Sequence, residues 1–293
     1  MIINNAYCEY IFVILPMTMT TVYLTRIFLK RPLWILWKES PPLAVLFASI
    51  ISQLTIDATM VIQWILLLSD LISNGPESTV LLEIPILLRV GIQLFFAITN
   101  SAIFIQRIYI LLFPLKSLRK TNRVIVLLEL TVSVIAASFA IAPNVPRAWN
   151  FVPVPVGCFS ANCSNLLPGR SYSATTTLVM SICTVLLGGA FQYIFYKYRK
   201  LTKSSKPDTA MLHRFARYAL YIRLVFESVP YFTDLFLSNI FGIKISNYLG
   251  PYGVVATSLD YCASTFVYYN LVIKKKQTTV QVVSVNARTT QSN

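Results

Sequence analysis

Seven stretches of this chain stay apolar for about twenty residues or more, and no other feature limits its fold so tightly. They run over 10–29, 43–68, 85–112, 124–142, 175–196, 218–241 and 252–273. A helix needs about 20 apolar residues to cross a hydrocarbon layer roughly 30 Å thick. Inside that layer every backbone N–H and C=O must be satisfied within the segment, so such runs become helices. The expectation is an all-α fold: one domain over 1–293, built as a seven-transmembrane helix bundle in the lipid bilayer. Composition agrees, because only 12% of the residues are charged, against about a quarter in soluble domains. The first run has no basic leader and no small-residue cleavage site, so it is read as a span and not a signal peptide.

The net charge of +14 is distributed asymmetrically. Twenty of the 25 Lys and Arg fall before span two, from the inner end of span three to span four, between five and six, or after seven. Only Arg147, Arg170 and Lys244 fall on the opposite side, and Arg89 and Arg223 lie within spans. Cytoplasmic loops hold the excess of Lys and Arg, which puts the amino terminus outside and the short polar tail, 277–293, in the cytoplasm. Basic loops facing anionic lipid explain the charge without a nucleic-acid partner. The sole histidine, His213, sits in a basic loop, leaving little basis for His-based metal sites or Ser-His catalysis; no enzyme motif, metal or cofactor is expected.

The loop between spans four and five carries the sequon Asn162-Cys163-Ser164, on the side expected to be outside and glycosylated. Cys8, Cys158 and Cys163 share that oxidising side. Cys158–Cys163 is the simplest bridge, Cys8 with either remains open, and Cys183 and Cys262 read as packing residues within spans.

Ionisable residues in a span are costly and by default face the bundle interior. Here they are Asp57, Arg89, Glu129, Arg223, Glu227, Asp234 and Asp260. Arg89, Gln93, Asn100 and Arg107 fall on one face of span three, and Arg223, Glu227, Pro230 and Asp234 on one face of span six. Arg223 and Glu227, at i and i+4, can neutralise each other. Thr177, Ser181, Thr184, Gly188 and Gln192 give span five a stripe of small and polar residues suited to close packing. The outer halves of spans three, six and seven supply Arg89, Gln93, Asp234 and Asp260, with Tyr231 and Tyr261 nearby, as an outward-facing small-molecule pocket. The alternative is that Arg89 pairs with Asp234 or Asp260 only to hold the bundle. Asp57 and Glu129 read as ion contacts or, more simply, interhelical hydrogen bonds. Pro230 should kink span six and let it pivot.

At the inner end of span three, Gln106-Arg107-Ile108 followed by Pro114 resembles the signature that closes the third helix of rhodopsin-like receptors. The stretch Gly157-Cys158 through Asn162-Cys163-Ser164-Asn165, then Arg214-Phe215-Ala216 with Val229-Pro230, and Gly250-Pro251-Tyr252 are similar to nematode serpentine chemoreceptors, most of all class BC. The resemblance runs from span three to span seven. It implies a rhodopsin-like topology and a plasma-membrane receptor on sensory cilia. Such a receptor would bind an odorant or pheromone-like small molecule and couple to a heterotrimeric G protein through Gln106, Arg107 and Pro114. Three departures stand out: Gln106 replaces the acidic neighbour, span seven ends in Tyr268-Tyr269-Asn270 without Asn-Pro-x-x-Tyr, and no cysteine lies near the outer end of span three. Arg107 could instead be an arginine snorkelling to the lipid interface. A small-solute transporter or channel is the rival reading, but neither an internal repeat nor a filter-like loop is visible.

Overall fold

The computed structural model describes residues 2–113, 118–143, 170–198, 207–242 and 252–274. Those residues are almost all helical, without a strand among them. The elements are α1 (Ile2–Lys30), α2 (Leu33–Glu39), α3 (Pro41–Leu68), α4 (Pro76–Leu112), α5 (Leu118–Ile141), α6 (Arg170–Lys197), α7 (Pro207–Arg223), α8 (Val229–Ile240) and α9 (Tyr252–Tyr268). A π turn, Leu224–Ser228, joins α7 to α8, and a second, Tyr269–Lys274, extends α9. Prolines mark several starts: Pro41 and Pro42 open α3, and Pro76 opens α4 after Gly75. Their missing N–H falls where a helix has no intrahelical acceptor to serve.

Among the described residues, five helices are long and apolar enough to cross a membrane: Tyr10–Lys30, Pro41–Leu68, Val80–Leu112, Arg119–Ile141 and Thr175–Lys197. They coincide with the first five runs seen in the sequence. The last two runs are helical as well, but they are not the unbroken α-helices expected of them, because the π turns divide or extend them. The first π turn ends directly before Val229-Pro230. Pro230 has no N–H to offer the preceding turn, so the distortion expected from it falls on its amino-terminal side. A further difference is α2, which occupies a stretch read as loop.

The bundle is built around α4, which packs against α3, α5 and α6, while α1 lies along α9. Gly188 permits the close approach of α6 to α7, since a Cβ there would collide with the Leu220 side chain. Ile11, Phe12, Leu15, Leu127, Leu128, Ile135 and Phe139 are exposed on α1 and α5. Such a surface would drive association in water and is the face required against lipid. Threonine hydroxyls on α1 are satisfied locally: Thr18, Thr20, Thr21 and Thr25 each donate to the carbonyl four residues earlier.

One end of the bundle is strongly basic. Ser40, Gln106 and Asn122 tie the start of α3, the end of α4 and the start of α5 together there. Phe191 and Phe195 on α6 meet His213 on α7, and Tyr268 packs edge-on against Phe47 and Phe215. Every Lys and Arg whose side chain is described, other than Arg89 and Arg223, belongs to this end.

Candidate functional site

Three polar clusters occupy the interior. In the first, the Arg89 Nε donates to Asp57 Oδ1 at 2.9 Å, and its Nη2 donates to Thr257 Oγ1 at 3.0 Å and to the Gly253 carbonyl at 3.5 Å. Gln53 Nε2 also donates to Asp57 Oδ1, at 3.1 Å. These bonds join α3, α4 and α9. Among the described residues the partner of Arg89 is therefore Asp57, while Asp260, which the sequence also suggested, pairs with Arg223; the side chain of Asp234 lies outside the described residues. Asp57 and Arg89 stand at nearly the same depth on the two helices that flank the turn at 69–75, a register the sequence reading did not use.

The second cluster centres on Arg223, which is 2% exposed. Its Nη1 donates to Glu227, the pair expected from the i, i+4 spacing, and also to Asp260 Oδ2 at 3.1 Å. The guanidinium lies 4.1 Å from the centroid of Phe96, whose ring meets Tyr261 edge-on at 4.7 Å. A cation over a ring face in a desolvated site is worth about 2 kcal/mol. Ser264 Oγ donates to Asp260 Oδ1 at 3.3 Å. The π turn brings consecutive residues inward, so that Glu227 faces Arg223 while Ser228 meets Ser181 of α6 at 3.0 Å.

Tyr261 is buried between the two clusters, within the field of Asp57, Arg89, Asp260 and Arg223. Of the residues expected to form a pocket, Arg89, Asp260 and Tyr261 thus share one neighbourhood. Gln93, half-buried one turn from Arg89, makes no hydrogen bond among the described residues. Tyr231 is half-buried on α8, and for Asp234 only the backbone, on α8, is described. Glu129 makes the simple interhelical contact expected of it, 2.6 Å from Thr99 Oγ1.

The third cluster lies at the basic end. Arg107 Nη2 donates to Ser40 Oγ at 3.1 Å, Ser40 Oγ donates to Gln106 Oε1 at 2.7 Å, and Gln106 Nε2 donates to Asn122 Oδ1 at 2.9 Å. Gln106 and Arg107 are both buried, which rules out the snorkelling alternative for Arg107. The amide at 106 thus takes a structural part that a carboxylate could fill only in one direction. It accepts from α3 and donates to α5 at once, whereas an ionised carboxylate can only accept. Arg31 lies beside Tyr268 and pairs with Glu39 at 2.7 Å, so it belongs to this cluster and not to the free basic surface.

His213, expected in a loop, is buried on α7 between Phe191 and Phe195. Burial, with the Arg107 charge adding to it, pushes its imidazole down to about 3. Because the folded value is depressed below the ordinary 6.5, the unfolded chain binds the proton first. Stability is then fully present above about 6.5 and falls as the pH drops toward about 3, by up to ~1.4 kcal/mol per pH unit. As the only histidine, His213 should give one imidazole NMR signal that stays neutral from pH 5 to 8; a midpoint near 6.5 would contradict its burial.

Pro114, Cys158, Cys163 and Asn162 lie outside the described residues, and Cys8 is described by its backbone alone, on α1. Cys183 and Cys262 are free. Sequence reasoning missed Ser40, Asn122, Thr257 and Phe96. Only Thr257 carried a signal, since Gly253, Thr257, Asp260 and Ser264 recur at helical spacing on one face.

The fold and its buried charges define the class: an all-helical protein with several apolar helices suited to the bilayer. No family model matches the chain, and no curated protein matches it in sequence.

Proposed function

We propose that the chain crosses the plasma membrane seven times with its amino terminus outside and acts as a chemosensory G-protein-coupled receptor of the nematode serpentine kind. The observation that carries this reading is the buried Arg107, which donates at the basic end to the neutral hydroxyl of Ser40, itself bonded to Gln106. An arginine so placed needs little energy to change partners, because no carboxylate is bonded to it among the described residues. A small odorant or pheromone-like molecule would enter beside Arg89, Tyr261 and Asp260, where three helices meet around polar and aromatic side chains.

Such a ligand can shift the bundle only by binding one arrangement more tightly than another. Helix α9 is the natural carrier. It bonds Arg89 through Thr257, Arg223 through Asp260, and ends at Tyr268 beside Arg31 and near Arg107. The π turns at 224–228 and 269–274 are places where a helix can change register at low cost. The heterotrimeric G protein would then engage the basic end around Gln106 and Arg107.

The test is nucleotide exchange on purified heterotrimeric G protein, with the chain in nanodiscs and a panel of small odorants and secreted metabolites. Ligand-dependent acceleration is the expected result. Substrate flux across vesicles without any ligand-dependent exchange would replace the receptor by a small-solute transporter.

A further inference from the structure

The short helix α2 presents a surface that the receptor reading leaves unused. Leu36 is fully buried and anchors the helix, yet Leu33, Trp34 and Trp37 are 36%, 61% and 49% exposed. Two of the largest apolar side chains in the chain thus face outward from one short element. Trp34 and Trp37, at i and i+3, share a face. Lys38 lies over the Trp34 ring at 5.2 Å, and Lys30 and Arg26 are exposed in the last two turns of α1, the helix that precedes α2. Leu29 and Val22, near the end of α1, are exposed as well.

This combination suits one surroundings better than any other. Indole rings favour the headgroup level of a bilayer, where the ring is sheltered and its N–H stays wet. Lys and Arg at that level attract anionic headgroups. The helix cannot drift from its place, because the Arg31–Glu39 pair closes its flanks and Ser40 fastens its far end to Gln106 and Arg107.

We propose that α2 is a membrane-interface helix whose Trp34 and Trp37 seat among anionic phospholipid headgroups, with Lys30 and Lys38 as the charged contacts. The inference rests on the apolar surface and the basic end alone, so it stands or falls apart from the G-protein assignment. Through Ser40 the lipid contact adjoins the Arg107 cluster.

The experiment compares tryptophan quenching by dibrominated phosphatidylserine and dibrominated phosphatidylcholine, using the full chain reconstituted in vesicles. Subtracting the signal of W34F/W37F isolates these two rings from Trp64 and Trp149. Both lipids should quench them, with phosphatidylserine favoured about fivefold or more at low salt. That preference should fall toward one in K30Q/K38Q and at high ionic strength. Equal quenching by the two lipids would overturn the anionic site. Quenching by aqueous acrylamide but by neither lipid would place α2 in water, and shielding from all three would place it against a second copy; either result overturns the proposal.

Discussion

If the chain is the plasma-membrane receptor proposed above, Arg223→Met is expected to remove it from the cell surface. The substitution keeps an apolar side chain of similar length, but it leaves Glu227 and Asp260 in the interior with no cation between them. Removing one partner of a buried ion pair costs about 3–5 kcal/mol, and a whole domain holds only about 5–15 kcal/mol in reserve. Arg223 serves two carboxyl groups and also covers Phe96, so the loss should lie at the upper end. The remedy follows from the same account. In R223M/E227Q/D260N no charge is left unpaired, and surface expression and detergent melting should largely recover. Wild-type expression of Arg223→Met, measured by surface labelling, would mean that the cluster does not hold the bundle. Failure of the triple variant to recover would assign Asp260 or Glu227 a further role in folding.

On the receptor reading, the second large effect belongs to Ser40. Its hydroxyl is the bond between Arg107 and Gln106, and through Gln106 it reaches Asn122 on α5. A hydrogen bond to a charged group is worth about 1.5–3 kcal/mol, so Ser40→Ala should raise ligand-independent nucleotide exchange by about tenfold or more, normalised to surface protein. Arg107→Ala should instead abolish exchange while leaving the protein at the surface. The two variants separate restraint from coupling, because one releases the arginine and the other deletes it. Basal exchange of Ser40→Ala equal to wild type would show that Ser40 restrains nothing, and exchange by Arg107→Ala would remove Arg107 from the coupling site.

Much of the architecture was legible in the chain. The first five apolar runs reappear as helices with most ends a few residues displaced, apart from α1 and α4, which start earlier at Ile2 and Pro76. The reason is that lipid allows a long apolar segment almost no alternative to a helix. The Arg223–Glu227 pair and the small-residue stripe around Gly188 were legible too, since each is local in sequence and needs no partner from another span to be read. Partners on different helices were not. Arg89 could have met Asp234 or Asp260 as far as helical period was concerned, and the choice of Asp57 required the register of α3 against α4. Ser40 and Asn122 carried no pattern at all, being single polar residues at helix ends.

The sequence by itself determined that the long apolar runs are helical, which face of each is polar, and that the positive charge gathers at one end. Only the tertiary structure decided which charges pair between helices, that Arg107 is held by Ser40, and that His213 and Arg31 are buried. The physical reason is the range of the forces involved. Backbone hydrogen bonding and apolar burial act on a segment through its own residues, whereas an ion pair between helices depends on rotations and depths that no single segment encodes.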